Sequence, residues 1–324
     1  MMKLVKFWEN YWFRPAPLID LAVCRIIIVG YQLFYLIKMN YVYKMKTLSS
    51  LPDSLYDALP LLHLLVMPFG WSYRPPFEGL EIVFYLTLAV GVLSFVGLWT
   101  NLSLSFFTIG NLFMQAYIYS YHDIHHPHGI MMIALSVLAL APCGTLLSAD
   151  TWFRQSGVSQ ESNFAKWPLL LIQWIFALAY FSAAEWKMTT SGLDWVNGYT
   201  LQYYLASDAM RNDMSLGLWL SQHHVLSQLF SWATIIFEGT FSLVLIFPVL
   251  AFIYIPAGIA IHTGMYLTMK ANFFQWVAVY SVFVPWSKLL KNLLGNQFFK
   301  ERVKNKETNL ASPISSDARL GVET

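Results

Sequence analysis

The sequence predicts an all-α integral membrane protein, a bundle of about eight transmembrane helices. Three observations carry that expectation. Of 324 residues, 57% are hydrophobic and only 12% charged, against about 25% charged in an ordinary soluble domain. Mean hydropathy is +0.50. Aromatic residues make up 17%, including 13 Trp and 18 Tyr, the side chains that favour the membrane–water boundary. A net charge of +2 gives no reason to expect nucleic acid; the lipid bilayer is the expected partner.

A crossing helix needs about 20 mostly apolar residues. Runs of that kind fall at Pro17–Ile37, Leu80–Trp99, Leu102–Ser120, Gly129–Leu147, Pro168–Trp186, Val225–Phe247, Val249–Met269 and Asn272–Trp286, the last one short. Residues 225–269 are too long for one helix, so Pro248 should divide them. Ser54–Pro68 is too short to cross and reads as an interfacial or re-entrant piece. The first run begins near Pro17 without a small-residue cleavage pattern and reads as a retained helix. Cys24 and Cys143 both lie in apolar runs, as small core residues rather than a disulfide. Residues 1–298 read as one membrane domain. Residues 299–324, rich in Lys, Glu, Ser and Asn, read as a disordered cytoplasmic tail.

With the N-terminus inside, the inner loops carry Lys3, Lys6, Arg14, Arg154, Lys166, Lys288, Lys291, Lys300 and Arg302. The outer loops carry Lys38, Lys44, Lys46, Arg74, Lys187, Arg211 and Lys270. This nine-to-seven bias orients both termini toward the cytoplasm. Eight crossings would then put residues 122–128, Lys187 and the turn near Lys270 at one outer mouth.

Candidate chemistry clusters in three places. Tyr121-His122-Asp123-Ile124-His125-His126-Pro127-His128 holds four of the eight histidines. Imidazole can ligate metal, hydrogen-bond a quinone oxygen or relay protons; the plainer reading is a wet loop, with Pro127 starting a helix. In Ala183-Ala184-Glu185-Trp186-Lys187, two charges end an apolar helix and point about 200° apart, so one faces inward while the other reaches the interface. Alternatively, Lys187 snorkels to the headgroups. Glu238 and His262 lie inside apolar runs, where an ionisable group faces the bundle interior; Arg25, of the same class, is a counter-ion candidate for Glu238. His262 could equally be satisfied by a helix–helix hydrogen bond.

The run Ala183-Ala184-Glu185-Trp186-Lys187-Met188, followed by Asp194-Trp195-Val196-Asn197-Gly198-Tyr199 and Tyr204-Leu205, resembles the central signature of vitamin K-dependent gamma-carboxylase. More broadly, it resembles the horizontally transferred transmembrane (HTTM) domain. Leu21-Ala22-Val23-Cys24-Arg25-Ile26 is similar to the family's opening helix. The histidine loop with Leu140-Ala141-Pro142 and Ser148-Ala149-Asp150, and His262 with Asn272-Phe273-Phe274-Gln275-Trp276, resemble later segments in the same order. The likeness spans about residues 10–290.

That resemblance implies a reduced quinone as cofactor and Lys187 as the base that deprotonates it. His126 or His128 would assist at the quinone and His262 would join them. His122, His125, Trp186, Trp195 and Tyr199 would lie around the cofactor, and no metal is implied. It implies a carboxylase or oxygenase acting on a peptide or small molecule at the outer face of the bacterial inner membrane. Lys187→Ala would then abolish function and leave folding near normal. Two departures stand against a propeptide-directed protein carboxylase. Trp186 replaces a lysine of the carboxylase pattern, and the chain ends soon after its last helix, without the large extramembrane domain. The competing reading is a non-catalytic membrane protein: a transporter, an immunity component or an assembly partner of a peptide-export system.

Overall fold

The computed structural model describes residues 2–70, 74–122, 127–153 and 159–293, with side chains from residue 5. The expected tail lies outside these residues. A short helix α1 (Met2–Trp12) is followed by the apolar α2 (Leu18–Lys38). Small helices α3 (Tyr41–Ser49) and α4 (Pro60–Val66) lead into α5 (Phe77–Val96). Then come α6 (Thr100–Tyr119), α7 (Pro127–Ala139) and α8 (Ala149–Phe153). The long α9 (Lys166–Ser191) is followed by α10 (Tyr199–Asn212) and α11 (Ser215–Ser221). Helices α12 (His224–Thr240), α13 (Leu243–Ile246), α14 (Ala251–Met269) and α15 (Phe274–Val279) complete the bundle. One two-residue antiparallel pairing, Ala16–Pro17 with Glu161–Ser162, ties the start of α2 to the segment before α9.

Among the described residues, five helical segments are long and apolar enough to cross a bilayer: Leu18–Lys38, Phe77–Val96, Lys166–Asn197, His224–Ile246 and Pro248–Met269. The chain is therefore an all-helical multi-pass membrane protein. The expected division at Pro248 is present: the helix stops at Ile246 and restarts through a 3-10 turn at Pro248–Leu250. Three of the eight expected runs fall short of that standard. Helix α6 has the length, but Asn101, Ser105, Thr108, Asn111 and Gln115 dilute its apolar character. Helix α7 has 13 residues and ends at Ala139, short of the run expected through Leu147, so it is about 20 Å long against the ~30 Å of a hydrocarbon core. The last run supplies only Phe274–Phe283. Ser54–Pro68 forms a short helix flanked by 3-10 turns, with Leu61, Leu64 and Met67 exposed.

The short helices α7 and α15 pack on each other and on α2, and their side chains join the core: Met131 and Leu135 from α7, Val279 from α15, Leu21 and Ile28 from α2. The five long segments instead leave much apolar surface outside, such as Ile82, Leu86 and Val92 on α5 and Phe252, Ile253 and Leu267 on α14. Lipid is the solvent that such a surface fits. Cys24 and Cys143 are free and buried.

Candidate functional site

Helix α9 positions the first group. Residues three and four apart share a helix face, and Phe176, Tyr180 and Ala184 are all buried. Lys187 continues that row and turns into the bundle, while Glu185 and Trp186 are exposed. Its Nζ donates to both carboxylate oxygens of Glu238, at 2.6 and 2.5 Å. The ammonium also lies 4.7 Å from the centre of the Trp195 ring, a cation–π contact. Helix α12 supplies Glu238. A Cβ at Gly239 would stand an ordinary 3.7 Å from that of Ala184, so α9 and α12 lie side by side next to the pair.

Glu238 therefore pairs with Lys187 and not with Arg25, as the sequence had suggested. Arg25 donates to the carbonyls of Cys143 at 3.1 Å and Leu147 at 2.6 Å. It pins the turn after α7 to α2.

Two turns before Lys187, the Tyr180 hydroxyl lies 2.8 Å from His262 Nε2 and 2.5 Å from the Tyr280 hydroxyl. Helix α14 is mostly turned outward, but Gly258 and His262 face in. A Cβ at Gly258 would come within 2.1 Å of the Tyr280 oxygen, so only glycine lets that hydroxyl approach. Aromatic rings pack directly around this cluster: Phe273 stacks on His262 at 5.4 Å, and Trp276 is 4.9 Å from Tyr180. Two buried nitrogens there, His262 Nδ1 and Trp276 Nε1, have no hydrogen-bond partner among the described residues.

The histidine loop divides. His125 and His126 lie outside the described residues. His122 is exposed, in a left-handed conformation with φ of 61°. His128 is buried, with Nδ1 2.9 Å from the Gln275 amide nitrogen and Nε2 3.4 Å from the Tyr35 hydroxyl. Helix α15 thus serves two polar centres through adjacent residues, Gln275 toward His128 and Trp276 toward His262. Of the residues expected around a cofactor, Trp195 lies against Lys187. Trp186 is 68% exposed on the other face of α9. Tyr199 is also exposed and packs on His224 at 4.4 Å. An open hollow of about 420 Å³ lined by Trp99, Thr100, Asn101, Leu102 and Asp150 lies at the opposite end of α6 from His122.

Sequence reasoning missed Tyr180, Tyr280, Trp276 and Gln275. Tyr180 was within reach of it, because a residue seven before Lys187 shares its helix face. Gln275 and Trp276 lay in the segment that resembles the family but were given no site role there; Tyr280 is an ordinary aromatic residue in an apolar run, and no local pattern marks it.

The family model of the HTTM domain matches residues 13–287, nearly all of the bundle and every residue of both polar centres. The chain belongs to the HTTM domain family. Neither a curated protein nor a solved structure matches it. As an HTTM domain, it is a membrane protein of the vitamin K-dependent carboxylase-like family. Lys187, Glu238, His262 and Tyr280 are contributed by widely separated parts of that one domain, so they form a single centre only when the whole domain folds.

Proposed function

We propose that this HTTM protein is a membrane-embedded enzyme in which the Lys187–Glu238 pair accepts a proton from a reduced quinone. In this reading the reaction is a carboxylation or oxygenation of a peptide or small molecule at the outer face of the bacterial inner membrane. The observation that carries the proposal is the ion pair itself. A lysine ending an apolar helix would ordinarily snorkel to water, yet this one turns inward onto a carboxylate.

The groups gathered around His262 are of the kinds that suit an aromatic compound bearing oxygen. They are the rings of Phe273 and Trp276, the hydroxyls of Tyr180 and Tyr280, and two N–H-capable nitrogens with no partner among the described residues. When bound, a reduced quinone would supply electrons to dioxygen. A protonated Lys187 cannot act as a base, so Glu238 must first take the Nζ proton. The contacts at 2.6 and 2.5 Å permit that transfer directly. Away from water, a neutral amine–acid pair competes with the ion pair, because burying two charges is costly. Lys187 Nζ then accepts the proton of a weakly acidic O–H, and Trp195 shields the ammonium that results. His128, held by Gln275 and Tyr35, and His126 are the histidines assigned to assist at the cofactor. In this reading the runs around α6, α7 and α15 make up eight crossings, the two short helices needing non-helical chain buried in the bundle to complete theirs, and both termini are cytoplasmic.

A second reading rests on the same pair. A bidentate Lys–Glu contact between α9 and α12 is also what a purely structural staple would look like, as in a transport, immunity or peptide-export component. Oxygen uptake separates the two. Protein in liposomes with a reduced naphthoquinone should consume dioxygen faster than protein-free liposomes, and Lys187→Ala should remove the difference. A wild-type rate equal to the background leaves the staple reading.

A further inference from the structure

Helix α1 has two unlike sides. At about 100° per residue, Phe7, Trp8, Tyr11 and Trp12 fall on one side, and Lys6, Glu9 and Asn10 on the other. The aromatic side is docked on α9 by one corner. There the Trp174 indole N–H donates to the Tyr11 hydroxyl at 2.8 Å. The Lys166 ammonium donates to the Tyr11 carbonyl at 2.5 Å and lies 5.0 Å from the centre of its ring. Phe7 and Trp8, on the same side, stay 69% and 60% exposed. A helix with one aromatic and one polar side, tied to the end of a long apolar helix, fits the plane of the membrane interface.

Lys166 is the first residue of α9, and a second cation stands beside it. The pairing of Ala16 with Ser162 holds the chain after α1 against the segment before α9, and Phe13 packs edge-on against Phe164 at 6.2 Å. Arg14 is thereby held near enough to Lys166 for the two charges to act on each other. Among the described residues, no carboxylate forms an ion pair with either, and no acceptor meets the five N–H donors of Arg14. Asp20, at the start of α2, instead accepts from the backbone N–H and hydroxyl of Ser287, at 2.6 and 3.3 Å. Glu9 turns about 200° away from Tyr11 round α1. Holding two like charges together costs free energy that an anion bound between them removes.

We infer that Arg14 and Lys166 form a binding site for the phosphate of an anionic phospholipid, whose acyl chains cover the exposed rings of Phe7 and Trp8. Arg14 offers a planar fork that matches two phosphate oxygens, and Lys166 a point charge with two of its three N–H groups uncommitted. Basic pockets at helix ends take lipid headgroups in this way. A lipid suits the site better than a soluble anion because the aromatic side of α1 adjoins the cations: Phe7 stacks on Tyr11 at 6.3 Å, and a soluble anion would leave that apolar surface uncovered. In the orientation proposed above, the lipid belongs to the cytoplasmic leaflet. The site is at the other end of α9 from Lys187 and does not depend on the chemistry assigned there.

The test is native mass spectrometry of the full chain titrated in micelles with phosphatidylglycerol or phosphatidylcholine of identical acyl chains, so that the headgroup alone differs. The first phosphatidylglycerol should bind about tenfold tighter than the first phosphatidylcholine, the scale of two basic side chains meeting an anionic lipid. Arg14→Gln breaks no contact within the protein and should reduce that preference about threefold, one of the two charges being lost. Arg14→Gln combined with Lys166→Gln should abolish it. Lys288→Gln with Lys291→Gln removes the same charge from the same end of the bundle, next to Ser287, and should leave the preference within about twofold of wild type. No preference in the wild type, or equal loss in the two double variants, overturns the inference; equal loss would mean diffuse attraction of lipid to a basic surface. Inorganic phosphate binding as tightly as phosphatidylglycerol would also overturn it, by making the ligand a soluble anion.

Discussion

Lys187 has two duties, and they have opposite consequences when it is removed. As a base its loss stops chemistry. As the partner of Glu238, whose side chain is 12% exposed, its loss strands a carboxylate among helices. The expectation that Lys187→Ala would leave folding near normal changes accordingly. Lys187→Ala should cost about 2–3 kcal/mol, somewhat below the ~3–5 kcal/mol of a fully buried pair broken on one side. Lys187→Met combined with Glu238→Gln should recover most of it, read as thermal unfolding in nanodiscs. Equal midpoints for wild type and Lys187→Ala would mean that the pair contributes nothing to stability. At Gly258 a methyl group would displace the Tyr280 hydroxyl, so Gly258→Ala should lower stability by about 1–3 kcal/mol, the usual range for overpacking. An unchanged midpoint there would show that the Tyr180–Tyr280 contact is dispensable. Lys187 was legible in the sequence because a charge ending an apolar helix stands out. Its partner was not: Glu238 could have met either Arg25 or Lys187, and spacing within separate spans says nothing about which helices touch.

At the scale of elements, the order of the chain was legible and the crossing count was less so. The break at Pro248 follows from length and a proline alone. The runs around α7 and α15 are apolar for a different reason. They pack against other helices on several sides, and hydropathy cannot distinguish burial in protein from exposure to lipid. Helix α6, by contrast, has its first turn held by polar contacts. Asp150 shows how: its carboxylate accepts from the backbone N–H groups of Trp99 and Thr100, at 2.7 and 2.8 Å, and from the Thr100 hydroxyl. It caps α6 from a distant part of the chain. Asp150→Ala should cost about 1–2 kcal/mol, as lost helix caps do, and hydrogen exchange should rise first in the opening turn of α6. Protection unchanged there would show that the cap is not needed.

At the scale of the whole molecule, the fold gathers α2, α7, α9, α12, α14 and α15 so that two buried polar centres share one short helix, α15. One centre holds His128, Gln275 and Tyr35. The other holds Lys187, Glu238, Tyr180, His262 and Tyr280. The sidedness of that arrangement is open to direct labelling. The native cysteines are both buried, so single introduced cysteines will dominate the signal. An impermeant reagent added outside should modify position 125 and spare position 308; the reverse pattern would invert the topology. The central claim, that the Lys187–Glu238 pair is a proton acceptor and not only a staple, is tested most directly by reduced-naphthoquinone-dependent oxygen uptake in the Lys187→Met/Glu238→Gln protein. The pair is there replaced by neutral groups of similar size. The account predicts a folded protein of near wild-type stability whose uptake falls to the liposome background; uptake retained at the wild-type rate in that variant would contradict it.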